Sequence, residues 1–125
     1  MRDIQLFLQE YDLAVISGDI ERIANNFHSQ FTLSTSAELW HLNNDDAFIS
    51  NLAKTFNKYN KLGAKACKML STDIINLKSD HYMVNVKWGL INAEKLPFIE
   101  FDITYFIKRI DNTWKFIFVI DHNEP

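Results

Sequence analysis

The chain has 125 residues, 47% of them hydrophobic and 14% aromatic, with a formal charge of −3 and a pI near 5.7. That length and apolar content suffice for one domain with a substantial core, residues 1–125, and exclude disorder. An acidic balance without clustered Lys and Arg argues against a nucleic-acid partner; Lys54, Lys58, Lys61, Lys65 and Lys68 are strung along a helix and the loop after it as a solvated face.

Ile4, Phe7, Leu8, Tyr11, Ala14 and Val15 follow helical spacing and predict a first helix from about Asp3 to Ser17, capped by Gly18. Asp19 can cap a short second helix that turns Ile20, Ile23, Ala24 and Phe27 inward. Two short β runs follow, FTLST and AELWHL. A third helix starts near Asn44 or Asp45, buries Phe48, Ile49, Leu52 and Phe56, and stops at Gly63. The remainder reads as four strands, AKACKMLSTDIINL, HYMVNVKWGLI, FIEFDITYFIKRI and TWKFIFVIDHN. Short connections predict antiparallel neighbours. The order α-α-β-β-α-β-β-β-β makes an α+β domain with helices on one face of a curved sheet.

Ten phenylalanines point to a large core, an apolar cavity, or both. The single Cys67 cannot form an internal disulfide and reads as core packing in a reducing compartment. No apolar run reaches the length of a membrane span, and MRDIQLFLQEYD lacks the layout of a secretory signal. A soluble cytoplasmic protein is expected. His28, His41, His81 and His122 have no metal-ligand spacing, and the chain has no nucleophile elbow, phosphate loop or dinucleotide fingerprint, so neither a metal nor another cofactor is expected.

Parity gives an expectation for the inner sheet face. A two-residue turn at Asp111 and Asn112 would set Lys108 against Lys115 and Asp102 against Asp121, two like-charge pairs. A three-residue loop, Ile110 to Asn112, pairs Arg109 with Thr113 and removes both. Even-numbered residues then share the inner face: Leu70, Thr72, Ile74, Tyr82, Val84, Val86, Trp88, Asp102, Thr104, Phe106, Phe116, Phe118, Ile120 and His122. The opposite face of the last two strands, with Phe101, Ile103, Tyr105, Ile107, Ile117 and Val119, is too apolar for solvent and predicts a homodimer through that outer face, the alternative being that the N-terminal segment covers part of it.

On this reading Asp102 sits among apolar neighbours, where desolvation raises a carboxyl pKa. His122 lies near Glu100 and diagonal to Asp102, an arrangement suited to a general base. Tyr11 on the inner stripe of the first helix is a candidate oxyanion donor. Trp40, Val86, Trp88, Glu100, Thr104, Phe106, Phe116 and Phe118 are the expected pocket lining.

Three stretches, YDLAVISGDIERIANNFHSQF, the RIDNTWKF hairpin and the closing DH, resemble the nuclear transport factor 2-like superfamily, and within it the small SnoaL-like and ketosteroid-isomerase-like domains. The resemblance implies a cystatin-like, cone-shaped α+β roll: three N-terminal helices packed on a curved, mainly antiparallel sheet. It also implies a dimer, and Asp102 corresponds roughly to the family's protonated aspartate; ketosteroid isomerase is the standard physical example of that device. The isomerases' base position falls in FHSQFTLSTSAELW, which has no Asp. Glu38 is the nearest acid there, so steroid isomerisation is not expected. Two readings stay open. One is a domain that binds a small apolar molecule and carries out cofactor-independent acid–base chemistry on a carbonyl-bearing ligand through Asp102, His122 and Tyr11. The other is a non-catalytic homodimeric carrier or partner-binding module.

Overall fold

The first helix, α1 (Arg2–Ser17), buries Ile4, Leu8, Tyr11, Ala14 and Val15 along one stripe. The computed structural model describes residues 2–123. Gly18 ends α1 at a φ of 66°, a conformation that an L side chain adopts only with strain. Asp19 then caps α2 (Ile20–Ala24), accepting the Arg22 N–H at 3.2 Å. Phe27 does not continue that helix: it opens β1 (Phe27–Ser34), which pairs with the edge strand β2 (Leu39–Asn43). Asp45 caps α3 (Asp46–Lys61) through the Phe48 N–H at 3.1 Å. The long strands β3 (Ala66–Lys78), β4 (His81–Ile91), β5 (Pro97–Ile110) and β6 (Thr113–Asp121) complete the chain.

Together these make an open six-stranded sheet of order β2-β1-β6-β5-β4-β3. Every pair is antiparallel except β1 with β6, which run parallel. The three helices pack on one face, so the α+β roll expected from the sequence is the observed architecture. Under α1 the core is aromatic: the Tyr11 ring lies 4.7 Å from Phe116 and 5.9 Å from Trp88. Asp12, on the same helix, accepts the Met69 N–H at 2.9 Å and ties α1 to β3.

The β5–β6 register differs from expectation. Asp111 and Asn112 form a two-residue turn with φ of 51° and 64°. Two left-handed central residues make the turn whose twist matches a hairpin, and Asp and Asn tolerate that conformation. Lys108 does face Lys115, but Lys115 Nζ turns away to the Asn25 carbonyl. The second like-charge pair is avoided differently. The register shifts between the Ile107–Phe116 and Phe106–Phe118 pairs, so Asp121 faces Ile103 and not Asp102.

These facts correct the inner face. β4 is as expected, with Tyr82, Val84, Val86 and Trp88 all buried. β5 is inverted, because Val84 pairs with Tyr105 and Trp88 with Phe101; its odd residues enter the core. Phe116 points inward, but beyond the bulge Val119 and Asp121 do so. Phe101, Ile103, Tyr105, Ile107 and Val119, expected outside, therefore face the helices. Phe106, Phe118, Ile120, Asp102, Thr104 and His122 lie on the outer face. In β3 a bulge at Leu70 brings Met69, opposite Trp88, to the inside.

Candidate functional site

Between α1, α3 and the inner sheet face is a hollow of about 310 Å³. Phe27, Phe31 and Leu33 of β1 wall one side, and Trp88, Phe101, Ile103 and Tyr105 of β4 and β5 another. Across it α3 lays Phe48, Leu52, Phe56 and Tyr59 at helical spacing, with Asn51 and Thr55 between them. None of the α3 side chains is fully buried, because the helix closes over a space and not over a filled core.

Polar groups enter this apolar shell at two places. At the first, Trp88 Nε1–H donates to the Tyr105 hydroxyl at 2.9 Å, and the Tyr105 ring lies edge-on to that of Tyr11 with centroids 6.2 Å apart. Burial raises both phenols well above their usual range, so both stay protonated donors at ordinary pH. At the second, Asp121 Oδ1 accepts the Asn123 N–H at 3.0 Å and the Asn123 side-chain amide. Tyr59 stands near this carboxylate; burial, followed by the Cys67 and Asp121 charges, pushes its hydroxyl up to about 12. Cys67 on the cavity wall is likewise pushed up to about 12, mainly by burial. No Lys, Arg or His is among the described residues lining the hollow.

The residues singled out from the sequence divide between the two sides of the sheet. Tyr11 and Trp88 line the hollow. Phe116 and Val86 are core residues, 0% and 1% exposed, that support it from behind. Trp40 sits on the edge strand opposite Leu33, 47% exposed and away from the cavity. Asp102 and Glu100 are exposed on the outer face; Asp102 pairs with Lys87 at 3.1 Å. His122 is also outside, where its Nε2 lies 2.7 Å from the hydroxyl of Thr104, which is bonded to Asn85 Oδ1 at 2.5 Å. Phe106 and Phe118 face the same way, with ring centroids 5.5 Å apart. Thus Asp102 and His122 do share a face, but not with Tyr11.

Sequence reasoning missed Asp121, Tyr105 and Tyr59. Tyr59 could have been found by extending the Phe48, Leu52, Phe56 stripe by one step. The signal for Tyr105 was the Asp-Asn turn preference for the two-residue register; Asp121 enters the hollow only through the bulge after Phe116, which no sequence signal marks.

A helical layer over an open, mostly antiparallel sheet, with an aromatic hollow between them, defines the cystatin-like class of α+β rolls. The chain belongs to the NTF2-like protein family DUF6841, whose family model matches residues 2–124. Solved structures with this fold include an NTF-2 like protein of unknown function from Shewanella oneidensis MR-1, at 18% identity and a TM-score of 0.71 with 98% of each chain covered. A protein of unknown function with a cystatin-like fold from Nostoc punctiforme shares 14% identity at a TM-score of 0.67, covering 98% of this chain and 90% of that one. Aln2 from a Streptomyces species shares 8% identity at a TM-score of 0.74, covering 97% and 88%. No curated protein matches the chain. No helix among the described residues is long and apolar enough to cross a membrane.

Proposed function

We propose that this chain is a ligand-binding domain that holds one small, largely apolar molecule in the hollow beneath α1 and α3. The observation that carries the reading is the hollow itself: about 310 Å³ of aromatic-walled space, with a carboxylate and a few hydroxyls at fixed places. That is the usual make-up of a small-molecule site, and its volume is at the lower end of the usual range. The test uses uncharged aromatic fragments, indole and 2-naphthol, followed by saturation-transfer NMR. The native chain should bind them. Leu52→Trp, which fills the hollow from α3, should abolish binding without lowering the melting temperature by more than a few degrees. Failure of both fragments to bind the native chain removes the reading.

A second reading, acid–base turnover of a carbonyl-bearing ligand, is supported by the donors Trp88, Tyr105 and Tyr11. Tyr105 accepts from Trp88, and Tyr11, which lines the hollow with its ring 6.2 Å from that of Tyr105, can offer its proton to an acceptor there. A carbonyl placed there would be polarised by Tyr11, with Asp121 available to take an α-proton. Deuterium uptake by α-tetralone would report it, with Tyr11→Phe and Asp121→Asn each slowing exchange by roughly a hundredfold. Exchange that persists unchanged in both variants would exclude this chemistry.

The homodimer is proposed on a different set of residues from those the sequence suggested. Ile75, Met83, Phe106 and Phe118 form one continuous apolar row across four strands of the outer face, a surface suited to a second copy of the chain.

A further inference from the structure

The hollow contains an unbalanced charge. Asp121 lines it, and both Asn123 donors converge on Oδ1. Two N–H groups on one oxygen fix the orientation of the side chain and hold that oxygen as an acceptor. Among the described residues no cation forms an ion pair with it. Three positive groups of the neighbouring strands are engaged elsewhere: Lys87 with Asp102 outside, Lys115 with the Asn25 carbonyl, Arg109 with Asp3 and Asp80. A negative charge facing an apolar space is costly until a positive group meets it. The walls beside it are aromatic. Tyr59 and Phe101 line the same hollow with ring centroids 6.1 Å apart, and Tyr59 is close enough to be influenced by the Asp121 charge. A carboxyl group in an aromatic-walled hollow attracts a cation by charge, and ring faces presented to that cation add the pull of their quadrupoles. An anion would meet repulsion and no compensating base.

We infer that the hollow takes an apolar ammonium compound, its hydrocarbon body against Phe27, Phe31 and Phe48 and its charged nitrogen at Asp121. This rests on the ligand-binding reading above and names the class of ligand. In that complex Asp121 is a counter-ion and not a base. The size is small: 310 Å³ accommodates about ten water-sized groups at roughly 30 Å³ each.

Three probes of that size differ only in their polar end: 3-phenylpropan-1-amine, 3-phenylpropan-1-ol and 3-phenylpropanoate. Titration calorimetry at neutral pH should give the amine an affinity at least about tenfold above the alcohol, and leave the carboxylate weakest. Asp121→Asn should bring the amine level with the alcohol. Asp102→Asn removes the same unit of charge from the outer face and should leave the amine's advantage intact, which separates the site from the chain's overall negative charge. An alcohol that binds as tightly as the amine, or an amine advantage that survives Asp121→Asn or is lost in Asp102→Asn, overturns the inference and leaves the binding reading standing. If none of the three probes binds, and indole and 2-naphthol also fail, both fall together.

Discussion

Tyr105 carries a structural and an electrostatic load at once. Its hydroxyl is the acceptor for Trp88 Nε1–H, and Trp88 is only 2% exposed. Tyr105→Phe therefore strands a buried donor and should cost about 1–3 kcal/mol in denaturant unfolding. Adding Trp88→Phe removes the stranded group, so the double variant should cost less than the sum of the singles; strict additivity would show that the bond contributes nothing. Cys67 gives a pH prediction. Its thiol goes from an ordinary 9.0 to about 12 in the fold because burial penalises the thiolate, and Tyr59 goes from 10.0 to about 12 for the same reason. Above pH 9 the unfolded chain loses these protons and the folded chain keeps them, so the unfolded state gains. These two groups leave stability unchanged below pH 9 and lower it between pH 9 and 12. Melting curves of Cys67→Ala should show a shallower fall at the start of that window; an identical profile would exclude the thiol as a cause.

The two central hairpins show what register does to a strand. In β4 polar and apolar residues alternate cleanly, and the buried set Tyr82, Val84, Val86 and Trp88 is legible from the sequence. In β6 the run Phe116, Ile117, Phe118, Val119 and Ile120 is apolar throughout, so alternation cannot locate the extra residue of a bulge. One such residue exchanges the two faces for everything after it. That is why helices, strands and their order could be read, while the acid that reaches the hollow could not be distinguished from its neighbour outside. Avoidance of like charge was sound physics, but the chain satisfies it with a bulge and a turned lysine instead of a longer loop. The bulge in β3 has a cost that can be measured. Leu70 lies over Gly89, where a Cβ would meet Leu70 Cδ1 at 2.8 Å. Gly89→Ala should destabilise by about 1–3 kcal/mol through overpacking. In a Leu70→Ala background the same change should cost markedly less, and equal costs in the two backgrounds would mean that this contact is not the reason for the glycine.

For the whole molecule, the two sheet faces differ in what they present. The inner face encloses the hollow and the outer face presents the Ile75, Met83, Phe106 and Phe118 row, with Ile75 37% exposed. If that row joins two copies, sedimentation should give a dimer for the native chain and a monomer for Phe118→Lys, because a desolvated lysine at the centre of an apolar contact is unfavourable. The cavity should keep its fragment binding in the monomer, since its walls come from one chain. A native chain that sediments as a monomer at every concentration excludes the interface.

The parallel contact of β1 with β6 has a consequence for how the chain is made. Asn25 and Lys115, joined across this seam, are 90 positions apart, and β6 is the last strand to leave the ribosome. Until then the β1–β2 hairpin has no strand joining it to the rest of the sheet, and β5 has an open edge. Such late, long-range closure slows folding and prolongs the time during which sticky strand edges are bare. Nascent chains stalled before the final hairpin should thus be the form on which chaperones act, and cutting the polypeptide between β3 and β4 would yield two fragments that can be rejoined only by complementing each other.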